Sequence, residues 1–241
     1  MPGRRILYVP PRLVGSLKNW AAGANGAGSW LIQHAKEMGF NALWFSPFHT
    51  TTKIGKQKDG QWRSESLYAI RDHFAIGNEF SQNPAAPDAA ADMQALRGFL
   101  AEAKREQMTV YADLVLNHVA ADHALVEGEN ADLAALRQVG GMVSLYADGN
   151  GRLNQAGDGS RVGFVVNARD AARLDNALQQ KLRPDGAGNY HYLCLFHREA
   201  DGALFADGPP EDKWIDIAKI NYSSPAAWEY FVAGTPSQQP Y

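Results

Sequence analysis

The sequence predicts an α/β fold in which parallel strands are joined by helical crossovers, and two observations carry that expectation. Up to Asn117, three short apolar runs alternate with two amphipathic stretches. After His118 the rhythm breaks, and residues 119–213 are rich in Gly, Asp, Asn and Ala. An order of strand, helix, strand, helix, strand makes neighbouring strands parallel, because each crossover returns the chain to the same end of the sheet. The runs are nearly continuous in apolar residues, as expected where both faces of a sheet are covered.

The first strand is Ile6-Leu-Tyr-Val9, short and stopped by Pro10-Pro11. Gly23 to Gly28 forms a glycine-rich loop. Ser29 then caps a helix from about Trp30 to Met38, with Leu31, Ala35 and Met38 on one face and Gly39 ending it. Asn41-Ala-Leu-Trp-Phe-Ser46 is a second buried strand, closed by Pro47. From His49 to about Ser66 runs a polar loop that holds Lys53, Lys56 and Lys58. Asp88 starts a helix reaching about Gln107, whose stripe Met93, Leu96, Leu100 and Ala103 repeats at three and four residues. Thr109 to Asn117 is the third strand.

Within 119–213, the runs Val162–Val166 and Tyr190–Phe196 and the turn signals Asp185-Gly186 and Asp201-Gly202 predict a few hairpin strands in an irregular insertion. Ser224-Pro225 opens a last helix, since proline suits a first helical turn. Gly234 to Tyr241 has no apolar pattern and is expected to be a disordered tail. There is no internal repeat.

Composition excludes several functions. The 241 residues are 45% hydrophobic and 20% charged, ordinary for a globular chain. With 23 basic and 26 acidic residues and no block of Lys and Arg, nucleic acid is not the expected partner. The loop at Gly23 lacks Gly-x-Gly-x-x-Gly spacing, which argues against a nucleotide site. Cys194 is alone, so it forms no internal disulfide and no zinc cluster; a small buried hydrophobe is its expected role. The amino-terminal apolar run is too short for a secretory signal, and no run approaches the ~20 residues that cross a bilayer. A soluble, cytoplasmic protein with no membrane partner is the expectation.

Chemistry concentrates at the third strand. A period of two puts Tyr111, Asp113, Val115 and Asn117 on one face, which would bury Asp113. A buried carboxylate is costly unless it is paired or hydrogen-bonded. Asn117 and His118 fall at the carboxyl end of the strand, where parallel α/β folds place their sites. Spacing alone leaves a site and a loop-ordering aspartate equally open.

Asp113-Leu-Val-Leu-Asn117-His118 resembles the first conserved region of the α-amylase family of glycoside hydrolases and transglycosylases. Three further segments resemble that family in the same order. Gly39 to Pro47 is similar to its second strand, and Ser66 to Phe74 to the segment that brings a tyrosine to the sugar. Trp214 to Tyr222, followed by Ser224-Pro225, is similar to the exit of its inserted B domain and the entry to its third helix. The resemblance spans roughly residues 5–232. It implies the first three strands of a (β/α)8 barrel in residues 1–118, a B-domain-like insertion in 119–213, and in 214–241 the start of the third barrel helix with the tail.

The implied roles attach residue by residue. His118 matches a histidine that hydrogen-bonds the sugar, and Tyr68 a tyrosine that stacks beneath it. Asp113 matches an aspartate that braces an arginine near the nucleophile. Asn117 matches a calcium ligand of many members, though many lack the ion, so calcium stays open and no other cofactor is implied. His123 matches a downstream histidine of open role at the substrate site. The implied partner is an α-glucan or maltooligosaccharide. Lys53, Lys56 and Lys58 would suit an anionic sugar, or form a solvated face.

A retaining mechanism needs two carboxylates about 5 Å apart, and the family carries them after later strands. No segment of the Gly-Phe-Arg-x-Asp type follows Trp228. The expectation is therefore a chain of glucan-active type that lacks the catalytic carboxylates and is inactive alone, from a gene truncated or frame-shifted near Ala233. The alternative is a non-catalytic remnant that at most binds carbohydrate or a partner chain. Three parallel strands cannot close a barrel, so low solubility, or a second chain supplying the rest, is expected.

Overall fold

Strand pleat decides how the first half of the molecule packs. The computed structural model describes residues 3–21, 28–52, 66–140, 142–148, 150–157, 159–206, 214 and 216–233. They fall into two compact units, 1–115 and 116–241. The boundary expected after His118 lies three residues beyond that division.

The first unit contains β1 (Ile6–Val9), α1 (Pro11–Val14), α2 (Leu17–Trp20), α3 (Trp30–Glu37), β2 (Ala42–Phe45), β3 (His49–Thr51), β4 (Ile70–Ile76), α4 (Ala89–Arg105) and β5 (Thr109–Ala112). Strands β1, β2 and β5 form a parallel sheet with β2 in the middle, as the alternating pattern predicts. Leu7, Val9, Leu43, Phe45 and Val110 point to one face and pack with Trp20, Ile32 and Phe99 from the helices. The Trp20 ring lies 5.0 Å from both Phe45 and Phe99, and its indole N–H donates to the Gly15 carbonyl at 3.0 Å. A buried tryptophan thus keeps its one polar atom satisfied.

Helix ends follow their sequence signals. Ser29 Oγ accepts from the Ile32 N–H, and Asp88 Oδ1 accepts from the N–H groups of Ala90 and Ala91. Gly39 takes a φ of +83°, which a side chain rarely adopts, and stops α3.

Two expectations of the first unit change. The third strand ends at Ala112, not Asn117; one more ladder bond, Asp113 N–H to Phe45 O at 2.9 Å, closes the pairing with β2. Beyond it the Val115 carbonyl is engaged by His73 Nε2 at 3.1 Å, so the backbone bonds to a side chain in place of a strand. The polar loop after Phe48 begins as a strand: β3 pairs antiparallel with β4, with register shifts on both sides of Thr50. Polar but β-branched Thr50 and Thr51 suit an edge ladder that hydropathy alone does not reveal. Residues 23–27, Lys53, Lys56, Lys58 and the tail 234–241 lie outside the described residues.

The second unit contains β6 (His118–Ala120), α5 (Ala124–Val139), β7 (Val143–Ala147), β8 (Leu153–Asn154), β9 (Arg161–Asn167), α6 (Ala168–Ala171), α7 (Asn176–Lys181), β10 (Leu182–Pro184), β11 (Asn189–Arg198), β12 (Ile217–Lys219) and α8 (Pro225–Phe231). Its sheet runs β10-β11-β9-β7-β8, all antiparallel, and β6 pairs antiparallel with β12. The two apolar runs are β9 and β11, and the last helix opens at Pro225, as expected. Gly163 is required where these strands meet, since a Cβ there would lie 2.3 Å from the Tyr192 carbonyl oxygen.

The stretch expected to be an irregular insertion is more regular than its composition suggests. Helix α5 runs for sixteen residues and buries Val126, Glu129, Leu133 and Leu136 at helical spacing. A glutamate in the middle of that stripe conceals it from a hydrophobic pattern. Glu129 is buried because Arg198 meets it: Arg198 Nε donates to Glu129 Oε1 at 2.8 Å, and Nη2 lies in ion-pair contact with the same oxygen at 2.7 Å. The Leu195 N–H donates to Oε2, and Arg198 Nη1 to Asn130 Oδ1 at 2.6 Å. Burial pushes the Glu129 carboxyl up, and the guanidinium with the Leu195 N–H pulls it back. Cys194 is fully buried, and burial drives its thiol well above the ordinary range. Among the described residues, no helix is long and apolar enough to cross a membrane.

Removing one partner of the buried pair strands the other charge in the core. Glu129→Ala or Arg198→Ala is expected to cost ~3–5 kcal/mol in equilibrium urea unfolding. The double variant that combines Glu129→Leu with Arg198→Met is expected to recover most of that loss, because it leaves no charge behind.

Candidate functional site

The register of the parallel sheet assembles a row of rings. Tyr8 pairs with Trp44, and Trp44 with Tyr111. All three point to the face opposite the helices and are 38–50% exposed. Tyr8 and Trp44 meet edge to face at 5.8 Å, and the Arg4 guanidinium sits 5.3 Å over the Tyr111 ring.

Asp113 follows β5 at the carboxyl end of the sheet. It is half-buried, where the sequence predicted a buried residue. Its two oxygens are held by two rings: Trp44 Nε1 donates to Oδ1 at 2.6 Å, and Tyr68 Oη donates to Oδ2 at 2.9 Å. Partial desolvation first, and then this bond to Asp113, hold the Tyr68 hydroxyl well above its usual range. It therefore remains a donor at any ordinary pH. The Tyr68 ring is itself 42% exposed. An anchored hydroxyl with an open ring is suited to offering an aromatic face at a fixed angle. The partners of Asp113 in the first unit are thus ring donors.

A second polar group of this unit lies on β3 and β4. The rings of His49 and His73 are 6.2 Å apart, and His49 stacks on Phe48 at 5.3 Å. Burial first, and then the neighbouring His73, lower the His49 pKa to about 4, while Asp72 pulls the other way. His49 is thus a neutral imidazole at neutral pH.

The second unit holds the remaining predicted residues. Asn117 is exposed, and its carbonyl accepts from the Ile220 N–H at 3.0 Å. Its amide is the feature that suits calcium. Among the described residues, no group of three or more His, Cys, Asp or Glu is placed to hold a metal ion. His118 is half-buried and pairs with Lys219 across the β6–β12 ladder. His123 is fully buried at the start of α5, where its Nδ1 accepts from the Leu125 N–H at 3.1 Å. Its ring lies against Tyr230 and Phe231, at 6.2 and 6.4 Å. That position caps a helix and packs a core.

Sequence reasoning singled out Tyr68 and Asp113, which the structure joins by a hydrogen bond. It missed Tyr8, Trp44 and Tyr111 as a row, and His73 as the group that orders Val115. Period-two faces on β1 and β2, read beside β5, carry the signal for the row. Nothing local signals His73. It also missed Asn221, whose buried amide donates to the carbonyls of Val162 and Cys194 at 2.9 and 2.7 Å, tying β9 and β11 to the approach to α8.

No protein-family model matches the chain, and no curated protein sequence matches it. Solved structures do. An α-amylase from Lactobacillus plantarum is 16% identical with a TM-score of 0.52, over 95% of this chain and 34% of its own. A maltogenic α-amylase from Thermotoga neapolitana is 18% identical with a TM-score of 0.46, over 94% and 34%. A trehalose-6-phosphate hydrolase from Bacillus licheniformis is 16% identical with a TM-score of 0.42, over 94% and 31%. The chain spans about a third of the length of these proteins. At such identity the first likeness is one of fold, a mixed α/β arrangement.

The His49 shift has a pH consequence. The unfolded chain takes up this proton near 6.5, and the folded chain only near 4. Stability is therefore lost as pH falls from about 6.5 to about 4. The thermal midpoint measured across that range is expected to decline in the parent and to decline less in His49→Gln.

Proposed function

We propose that the chain is the amino-terminal part of an α-amylase-type (β/α)8 barrel, with its insertion, and that its first unit presents a wall for an α-glucan or maltooligosaccharide. The observation that carries this reading is the Asp113 carboxylate held by Trp44 and Tyr68 beside a row of open rings. A pyranose offers an apolar C–H face and a rim of hydroxyls. Exposed aromatic rings suit the face, and Asp113 keeps two of them in place. The four sequence segments in family order and the fold likeness to the Lactobacillus plantarum enzyme support the same reading.

In this reading Tyr68 stacks on the sugar and Asp113 positions the rings. Retaining glycoside chemistry uses a nucleophile and an acid about 5 Å apart. Asp113 is occupied by two donors and serves as neither. The chain alone therefore binds without turning over, and hydrolysis or transfer belongs to carboxylates outside this cluster.

Titration with maltoheptaose, followed by tryptophan fluorescence, tests the binding. Saturable quenching is expected, and Tyr68→Ala is expected to weaken it about tenfold, roughly 1.4 kcal/mol. Absence of saturable quenching removes the sugar reading. Release of dye from a chromogenic maltooligosaccharide by the pure chain overturns binding without turnover.

A further inference from the structure

The second unit contains a cavity of about 470 Å³ that plays no part in the wall just described. That volume lies within the ~300–1,000 Å³ of small-molecule sites. Its floor is apolar, built from Leu125 on α5, Leu193 and Leu195 on β11, and Pro225 at the start of α8. Its polar lining includes Gln180, Ser224 and Glu129, whose charge is already paired with Arg198. Lys181 Nζ and the Tyr192 hydroxyl both donate to Asp132 Oδ2, at 2.6 and 2.7 Å. Lys181 and Asp132 thus neutralise each other. Arg183 also lines the cavity and is exposed, and among the described residues its side chain has neither a hydrogen-bond nor an ion-pair partner.

Helix α5 leaves room for this space. Gly128 lies inside the helix and lines the cavity, and a Cβ built there meets nothing within 4 Å. Glycine is among the poorest residues for a helix interior, and packing does not require it at this position.

We propose that this cavity binds a small organic carboxylate with an apolar body. The body lies on the leucine floor over Gly128, and the carboxylate pairs with Arg183. A planar guanidinium is matched to a carboxylate by two parallel N–H donors. A neutral sugar fits less well. The ring of Tyr192, the aromatic group of the lining, is 4% exposed and has no open face to stack on a pyranose.

Isothermal titration of the whole chain with sodium octanoate tests the proposal, with octyl glucoside below its micelle concentration and maltose as neutral comparisons. Saturable octanoate binding is expected, at least tenfold tighter than either comparison. Arg183→Gln is expected to reduce that affinity at least tenfold. Gly128→Ala is expected to raise the thermal midpoint of the free protein and still weaken octanoate. Gly128→Leu is expected to abolish binding while far-ultraviolet circular dichroism stays unchanged. No saturable octanoate binding overturns the proposal. So does equal affinity for octyl glucoside, or unchanged affinity in both Arg183→Gln and Gly128→Leu. Maltose binding stronger than octanoate overturns it in favour of a sugar.

Discussion

The pleat of three parallel strands is the constraint from which the first unit follows. Successive side chains point to opposite faces, so each four-residue strand divides its residues between two environments. Leu7, Val9, Leu43 and Phe45 go to the helix side and join Trp20 and Phe99 in a dense aromatic core. Burying such side chains contributes ~1.5–3 kcal/mol each, which fixes the register without help from the other face. The other face is then free to carry Tyr8, Trp44 and Tyr111 in a line. Once the register is set, Asp113 falls one residue beyond the ladder, within reach of the Trp44 indole and the Tyr68 hydroxyl. The candidate site is thus a consequence of packing on the far side of the sheet.

The second unit is organised around polar groups inside a core. Glu129 and Arg198 are both essentially inaccessible, and each charge is matched by the other. A buried ion pair is weak evidence for stability, because desolvation offsets much of the attraction. Its effect here is specific: α5 docks on β11 in one register, with Glu129 reaching both Arg198 and the Leu195 N–H. Asn221 acts similarly on β9 and β11. Where an apolar stripe tolerates slippage, these directional contacts do not.

Elements with a clean period were legible in the sequence. Helices at Trp30–Glu37 and Ala89–Arg105 begin at Ser29 and Asp88, as their capping chemistry dictates. Strands at Ile6–Val9, Ala42–Phe45, Arg161–Asn167 and Asn189–Arg198 coincide with apolar runs. Helix α5 was not legible, because Gly128, Glu129 and Asn130 interrupt its stripe, and the partner that admits Glu129 to the core lies 69 residues away. The early end of the third strand was hidden for the same reason. Its apolar run continues to Leu116, but the Val115 carbonyl is claimed by His73, 42 residues earlier. Of the candidate site, Tyr68 and Asp113 were visible through sequence resemblance; the ring row needed pairing register, which no single segment contains.

The central claim is that Asp113 and Tyr68 act as one unit, a carboxylate that fixes the angle of a sugar-facing ring. A double-mutant cycle on maltoheptaose affinity, using Tyr68→Phe, Asp113→Asn and the pair, measures that coupling directly. Groups in one hydrogen-bond network show interaction energies of roughly 0.5–3 kcal/mol. The account predicts a value in that range, with the double variant losing little more than either single one. Losses that simply add would contradict it.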